Sequence, residues 1–176
     1  MSELAKVTRA EPRGMISLRG DLASETFEKT MKSVTGLAIP KAGTIAGDGV
    51  CRVLWMSPDE LLVLLPYDGV AQALNRISED LSKEHHLAVD VSDARAVFQI
   101  AGDNAHEVLA KVCPVDLHRD SFAVGDMRRS RLAQVAAAFW RHETGFDLVC
   151  FRSVSDYAEG VLRIAASGAA TGALGR

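Results

Sequence analysis

Residues 51–81 read CRVLWMSPDELLVLLPYDGVAQALNRISEDL, and this stretch decides the fold. Residues 51–55 and 61–65 are apolar runs of strand length on either side of Ser57-Pro58-Asp59-Glu60. Proline suits the second position of a tight turn because its ring already holds φ near the required value. The spacing therefore predicts a β-hairpin. Asp68 is placed as a helix N-cap, and behind it Val70, Ala73, Leu74, Ile77 and Leu81 share one helical face. A hairpin running straight into an amphipathic helix is the second half of a βαββα unit.

The first half lies upstream. Residues 14–18 form a short strand ending at Gly20-Asp21, and Phe27, Met31 and Val34 make a helical stripe stopped by Gly36. Pro40, Gly43, Gly47 and Gly49 mark the loop that leads to the hairpin. Downstream, residues 87–91 and 96–100 read as strands. Then the pattern restarts. Gly102-Asp103 opens a helix with Ala105, Val108, Leu109 and Val112 on one face, and a loop over 113–118 leads to one long strand, about 130–140. A turn at 142–145 returns the chain through 146–151. Ser153 is placed to cap a last helix striped by Val154, Tyr157, Ala158, Val161 and Ala165.

The recurrence has a measurable period. Gly20-Asp21 returns as Gly102-Asp103 after 82 residues, Trp55 as Trp140 after 85, and the stripe from Val70 as the stripe from Val154 after 84. Slips of this size are what insertions in surface loops produce. The fold class expected is α+β, two βαββα (ferredoxin-like) units in pseudo-repeat. The expected organisation is an extension over 1–12, a first unit over 13–92, a second over 93–166 packed with it as one compact domain, and a flexible Gly/Ala tail over 167–176.

A helix covers one face of a sheet, yet 61–65 and 135–139 are apolar at successive positions and so on both faces of their strands. Either the two halves pack across those faces or another chain covers them. Internal packing is expected to supply most of the cover, leaving some apolar surface for a partner.

Composition bounds the function. The chain has 176 residues, 20 basic and 23 acidic, for a formal net charge of −3, and 48% of its residues are hydrophobic. That is a globular profile, and its mild acidity argues against a dedicated nucleic-acid binder. Residues 1–13 lack the apolar centre of a signal peptide, and the longest apolar runs fall far short of the roughly 18 residues that cross a membrane. Cys51, Cys113 and Cys150 are odd in number and widely spaced, so neither a disulfide framework nor a zinc knuckle is indicated. A reducing, cytoplasmic compartment is expected.

No reactive constellation converges. His85 and His86 are adjacent at a helix end, where a cation complements the helix dipole, and His106 falls on the exposed side of its helix. His118 shares a loop with Cys113, Asp116 and Asp120, the one local mixture of thiol, imidazole and carboxylate; Pro114 and the irregular spacing favour a turn over a metal or Cys–His site. His142 sits at the later turn. Gly102-Asp103-Asn104 follows a strand and opens a helix as a phosphate loop does, but has no further glycine and no lysine, and Asp103 reads better as an N-cap. Asp90, Ser92 and Asp93 do not align two carboxylates. Arg128, Arg129 and Arg131 form a basic run at a strand start, a solvated or partner-facing edge rather than an anion site. No catalytic, cofactor-binding or metal-binding residue is assigned.

Five segments carry a resemblance: Met15-Ile16-Ser17-Leu18-Arg19-Gly20, residues 54–60 (LWMSPDE), residues 89–95 (VDVSDAR), residues 111–117 (KVCPVDL) and Phe151-Arg152-Ser153. In this order and spacing, over about residues 12–165, they resemble the gamma subunits of heterotetrameric sarcosine oxidases. The last helix departs from the family in having Ala158 and Gly160 where bulkier aromatic residues are expected. The resemblance implies a subunit without catalysis of its own. It sits in a complex that oxidatively demethylates sarcosine to glycine, makes hydrogen peroxide and, with tetrahydrofolate, methylenetetrahydrofolate. It implies FAD, FMN, NAD and tetrahydrofolate on the alpha and beta chains and zinc on the delta chain, those three chains being the partners, with neither nucleic acid nor membrane involved. It also implies the fold of the folate-binding domain of aminomethyltransferases. The alternative is a free-standing folate-binding protein of the aminomethyltransferase-like superfamily. Against its Lys-Gly-Cys-Tyr-x-Gly-Gln motif, residues 111–116 lack both glycines and the glutamine.

Overall fold

The computed structural model describes residues 3–167. Its strands and helices fall into two compact units, Pro12–Asp93 and a second made of Met1–Glu11 with Ala94–Arg176. The chain opens with strand β1 (Lys6–Arg9) and then enters the first unit with β2 (Gly14–Arg19), α1 (Glu25–Thr35) and the short β3 (Ile45–Ala46). The hairpin β4 (Arg52–Ser57) and β5 (Glu60–Leu65) follows, then α2 (Val70–Asp80) and β6 (Leu87–Asp90). The sheet order is β3-β4-β5-β2-β6. The two helices lie against one face, where Ile16, Leu18, Val53, Leu61 and Val63 meet Phe27, Met31, Ile77 and Leu81 in one buried cluster. Each such side chain contributes about 1.5–3 kcal/mol by leaving water. α1 starts where Ser24 accepts a hydrogen bond from the Phe27 N–H, with Glu25 and Glu28 in the first turn, so cap and macrodipole agree.

The second unit contains β7 (Arg95–Ala101), α3 (Ala105–Ala110), β8 (Met127–Leu132), β9 (Val135–His142), β10 (Gly145–Phe151) and α4 (Ser155–Ala166). Its sheet order, β1-β7-β10-β9-β8, is the first order read backwards, with β8 standing where β3 stands and β1 where β6 stands. Phe98, Phe139, Phe146 and Leu148 face Val108, Leu109, Ala158 and Leu162 in its core. The duplicated βαββα reading thus holds at the level of topology. In the first unit the closing strand follows α2; in the second it comes from the N-terminus.

Within residues 1–12, expected as an extension, Lys6–Arg9 form an edge strand of the second sheet. Lys6–Arg9 pairs antiparallel with Phe98–Ala101, and Ala5 and Val7 are buried in the second core. Four residues with one apolar side chain among them, Lys6-Val7-Thr8-Arg9, are too few to signal a strand by themselves.

Three further expectations change. The long strand at 130–140 is two strands, β8 and β9, turning at Ala133-Gln134, where Ala133 takes φ +49° without a Gly or Asn to announce it. The tryptophans match in number but not in face: an irregularity between Trp55 and Ser57 shifts the β4 register, so Trp55 packs on the helix side of its sheet. Trp140, in regular register, is fully buried outside the helix-side cluster. In α4 the buried positions are Ser155, Ala158, Leu162, Ala165 and Ala166, which leaves Tyr157 exposed.

The expected caps also differ. Asp68 and Ser153 lie inside 3-10 turns (Tyr67–Gly69 and Arg152–Val154), and neither α2 nor α4 has a side-chain N-cap. Of the tail expected over 167–176, Ser167 ends α4 by donating its N–H to the Arg163 carbonyl, and 168–176 lie outside the described residues.

Candidate functional site

The thiol–imidazole–carboxylate loop is a turn held by its own side chains. The His118 N–H donates to Asp116 Oδ1 at 3.0 Å, and the Asp120 N–H donates to His118 Nδ1 at 3.3 Å. The His118 N–H and then the Ser121 hydroxyl hold the Asp116 carboxyl below the usual carboxylate range. Cys113 points the other way, into the apolar core, and burial pushes its thiol up to about 12. A metal ligand or nucleophile needs the thiolate, which this environment opposes. The residue types fit zinc, but their directions do not.

The Gly102-Asp103-Asn104 turn is shaped by the chain itself. Gly102 takes φ +134°, a backbone conformation that side chains rarely adopt, and the Ala5 backbone passes at ordinary contact distance from where a Cβ would stand. Asn104, not Asp103, occupies the cap position of α3, and no side chain caps it. Asp90 and Ser92 form a clasp: Asp90 Oδ1 accepts from the Ser92 N–H at 2.9 Å and from Ser92 Oγ at 2.5 Å. Ser92 Oγ accepts from the Met15 N–H at 3.0 Å. Asp93 accepts from the Tyr67 hydroxyl. The Asp90 carboxylate closes a turn and the Asp93 carboxylate holds a tyrosine 26 residues upstream, so the two serve different partners.

The histidines scatter. His85 is exposed and His86 donates from Nδ1 to the Glu84 carbonyl, both well beyond the end of α2 at Asp80, so neither caps it. His106 is half-buried rather than solvated. His142 Nε2 lies 3.7 Å from Asp147 Oδ1, while its Nδ1 is 3.2 Å from Thr144 Oγ1. The adjoining cavity, of about 70 Å³, is lined by His106 and Arg141. It has room for only about two waters.

Glu107 is buried on α3, and two carboxylates buried on strands, Glu60 and Asp147, also escaped the sequence reading. Glu60 accepts from Ser17 Oγ at 3.0 Å and from Arg19 at 2.9 Å. Their sequence signal is an acid set in an otherwise apolar strand, as in 145–151 (GFDLVCF). Glu60 is thus partnered across strands and reads as structural, and Asp147 faces His142 on the neighbouring strand at 3.7 Å.

A cleft of about 580 Å³ in the first unit has an apolar floor that includes Leu65 and Ala73, and its charged and amide side chains, Gln72, Asn75, Arg76 and Glu79, are exposed on α2. No buried polar group converges on it to fix a ligand. Among the described residues no group of three or more His, Cys, Asp or Glu side chains is placed to hold a metal ion, and no helix is long and apolar enough to cross a membrane.

Several large apolar and basic side chains are exposed. Leu87 and Val89 are exposed on edge strand β6, Phe151 is exposed with the Arg95 guanidinium 4.0 Å from its ring, and Tyr157 and Ile164 stand out from α4. Strand β8 carries Arg128, Arg129 and Arg131 at the end of its sheet, all three exposed.

Known proteins resemble this chain in sequence and in fold. A "Sarcosine oxidase subunit gamma" from Corynebacterium sp. (strain U-96) is 35% identical over 118 residues, covering 66% of this chain and 57% of the relative's length. The heterotetrameric sarcosine oxidase from Corynebacterium sp. U-96, solved with pyrrole 2-carboxylate, contains a chain matching 93% of this one at a TM-score of 0.84 and 28% identity, over 84% of its own length. Aminomethyltransferase T of the glycine cleavage system from Bartonella henselae matches 92% of this chain and 45% of its own at a TM-score of 0.65. At 11% identity that likeness is one of fold, and it agrees with the expected aminomethyltransferase-like architecture. The family model described as "Sarcosine oxidase, gamma subunit family" matches residues 19–168, and the chain belongs to that family.

Proposed function

We propose that this chain is the non-catalytic gamma subunit of a heterotetrameric, cytoplasmic sarcosine oxidase. The complex oxidatively demethylates sarcosine to glycine with formation of hydrogen peroxide and, with tetrahydrofolate, of methylenetetrahydrofolate. Its partners are the alpha, beta and delta subunits. FAD, FMN, NAD and tetrahydrofolate belong on alpha and beta, and zinc on delta. The role of this chain is to stabilise or position the larger subunits.

The observation that carries the reading is the backbone likeness to a chain of a heterotetrameric sarcosine oxidase over 93% of this chain. The state of the candidate reactive groups supports a non-catalytic role. Asp90, Asp116 and His118 are engaged in turns, Asp93 accepts from the Tyr67 hydroxyl, and Cys113 is held as a neutral thiol in the core.

Co-expression with the alpha, beta and delta chains of the same source, followed by affinity capture on this chain, tests the proposal. The expected result is recovery of all four chains in fixed ratio, with sarcosine oxidation confined to the assembly. Capture of this chain alone, or sarcosine oxidation or stoichiometric flavin or pterin absorbance in the isolated chain, would overturn it.

A further inference from the structure

We propose that β8 is a docking strand for an acidic, extended segment of a partner subunit, joined by main-chain pairing along its outer side and by arginine–carboxylate contacts. The inference rests on the reading of the chain as a subunit and names the surface and the chemistry of one of its contacts.

Strand length is the first observation. Three of the four sheet edges are short, with two residues in β3 and four each in β1 and β6, whereas β8 has six and ends its sheet. Short edges are a common defence against unwanted pairing, so a long one is a liability unless something uses it. Backbone direction is the second. The Arg141 N–H donates to the Asp126 carbonyl, and the register runs from Met127↔Trp140 to Leu132↔Val135. Alternation then turns the backbone groups of Arg128, Ser130 and Leu132 toward β9 and those of Met127, Arg129 and Arg131 toward the outer side.

Charge is the third observation, and it selects the occupant. Arg129 and Arg131 share the helix-free face, their positions about 7 Å apart along the strand, the spacing of alternate residues on an added strand. Acidic side chains at alternate positions of that strand would lie directly across from them. Arg128 projects to the other face, 5.3 Å from the Phe122 ring centroid. Edge protection typically uses lysine; arginine, with its planar fork, is the residue enriched at interfaces. The whole chain carries −3, so the positive charge is local to this edge, which suits an acidic strand better than a polyanion that must also meet the rest of the surface. Among the described residues the Arg131 side chain has no hydrogen bond or ion pair.

The test uses the full chain co-expressed with the other three subunits, comparing wild type with the doubles Arg129→Glu/Arg131→Glu and Arg129→Lys/Arg131→Lys. Charge reversal is expected to lower recovery of the partners about tenfold or more, and the lysine double less, because it keeps the charge without the fork. Hydrogen exchange supplies a readout independent of any substitution. In the wild-type assembly the 129 and 131 amides should exchange at least about tenfold more slowly than in the isolated chain, and the 128, 130 and 132 amides should change little. Equal recovery by wild type and the Glu double, provided the Glu double melts with wild type, would overturn the docking proposal and leave the subunit reading intact. Unchanged exchange at 129 and 131 on assembly would do the same. So would protection of these amides in the isolated chain at high concentration, which would assign the edge to a second copy, or binding to a DNA duplex that the Glu double abolishes while still recovering the subunits. Failure of the wild-type chain to recover any partner would overturn both.

Discussion

Gly145 passes so close to Ile100 that a Cβ on it would sit 2.0 Å from the Ile100 carbonyl oxygen, with φ at +151°. The contact lies where β10 enters the sheet between β7 and β9, with Gly145 opposite both Ala101 and His142. Gly145→Ala therefore meets two penalties, an unfavourable backbone conformation and a clash with main chain that cannot rotate away. Together they amount to about 3 kcal/mol or more. A fall in melting temperature of about 6–12 °C is expected. Gly160→Ala makes the control, since a Cβ there meets nothing within 4 Å and alanine favours the helix by about 0.5–1 kcal/mol. Thermal melting that ranked the two variants the other way round would contradict the geometry.

The N-terminal strand completes a sheet whose other strands begin at residue 95. Removing residues 1–10 strips the pairing from the outer side of β7 and takes Ala5 and Val7 out of the core. Burial of Val7 alone is worth about 1.5 kcal/mol or more, and the loss also uncovers an edge. The truncated chain is expected to lose stability by about 2–4 kcal/mol on chemical denaturation. It should show faster hydrogen exchange over 96–101, with the first unit's β5 unaffected. Unchanged protection over 96–101 would mean that β1 contributes nothing to closing the sheet.

This strand also marks where sequence reading stops. Hairpins with a proline turn, helices with long apolar stripes and the period near 85 were legible because each is local or repeats within a few dozen residues. The pairing of Val7 with Ile100 is neither. It brings together residues 93 apart, and nothing in KVTR announces the partner. The β8–β9 turn stayed hidden because Ala133 adopts a conformation that the sequence normally signals with glycine or asparagine. The opposite faces of Trp55 and Trp140 come from one irregularity in β4, and a single-residue slip exchanges every face beyond it. The candidate site followed the same logic. That Asp116 and His118 serve a turn could be read from their spacing, whereas the Asp90–Ser92 clasp stands where strand alternation is expected and the pairing of Glu60 with Ser17 and Arg19 depends on strands far apart in sequence.

Ser92 is 2% exposed and links two strands through one hydroxyl, accepting from Met15 and donating to Asp90. Ser92→Ala leaves the Met15 N–H without that acceptor and the Asp90 carboxylate without one of its donors. A buried donor left unmet costs about 1–3 kcal/mol. A drop of this size in unfolding free energy is expected with unchanged denaturant dependence, and Ser92→Thr should recover part of it if the methyl group is accommodated. A neutral Ser92→Ala variant would show that the clasp adds nothing to the fold.

Cys113 makes the pH dependence of stability testable above neutrality. Burial raises the folded-state pKa of its thiol from 9.0 to about 12, so the folded state keeps a proton that the unfolded state releases. Where the unfolded state binds fewer protons, stability falls as pH rises, so the wild type should lose up to about 1.4 kcal/mol per pH unit from this thiol above pH 9. Well below pH 9 the thiol is protonated in both states and adds almost no slope. Cys113→Ala removes the titration. The variant should be less stable near neutrality because it leaves a small cavity, and its stability should decline less steeply between pH 9 and 10.5. Unfolding curves collected at several pH values check the difference in slope, and parallel profiles for the two proteins would mean that the Cys113 thiol reaches solvent in the folded state. Alkylation at pH 8 supplies a second reading: half-buried Cys51 should react with iodoacetamide in the native chain, while Cys113 reacts only after unfolding.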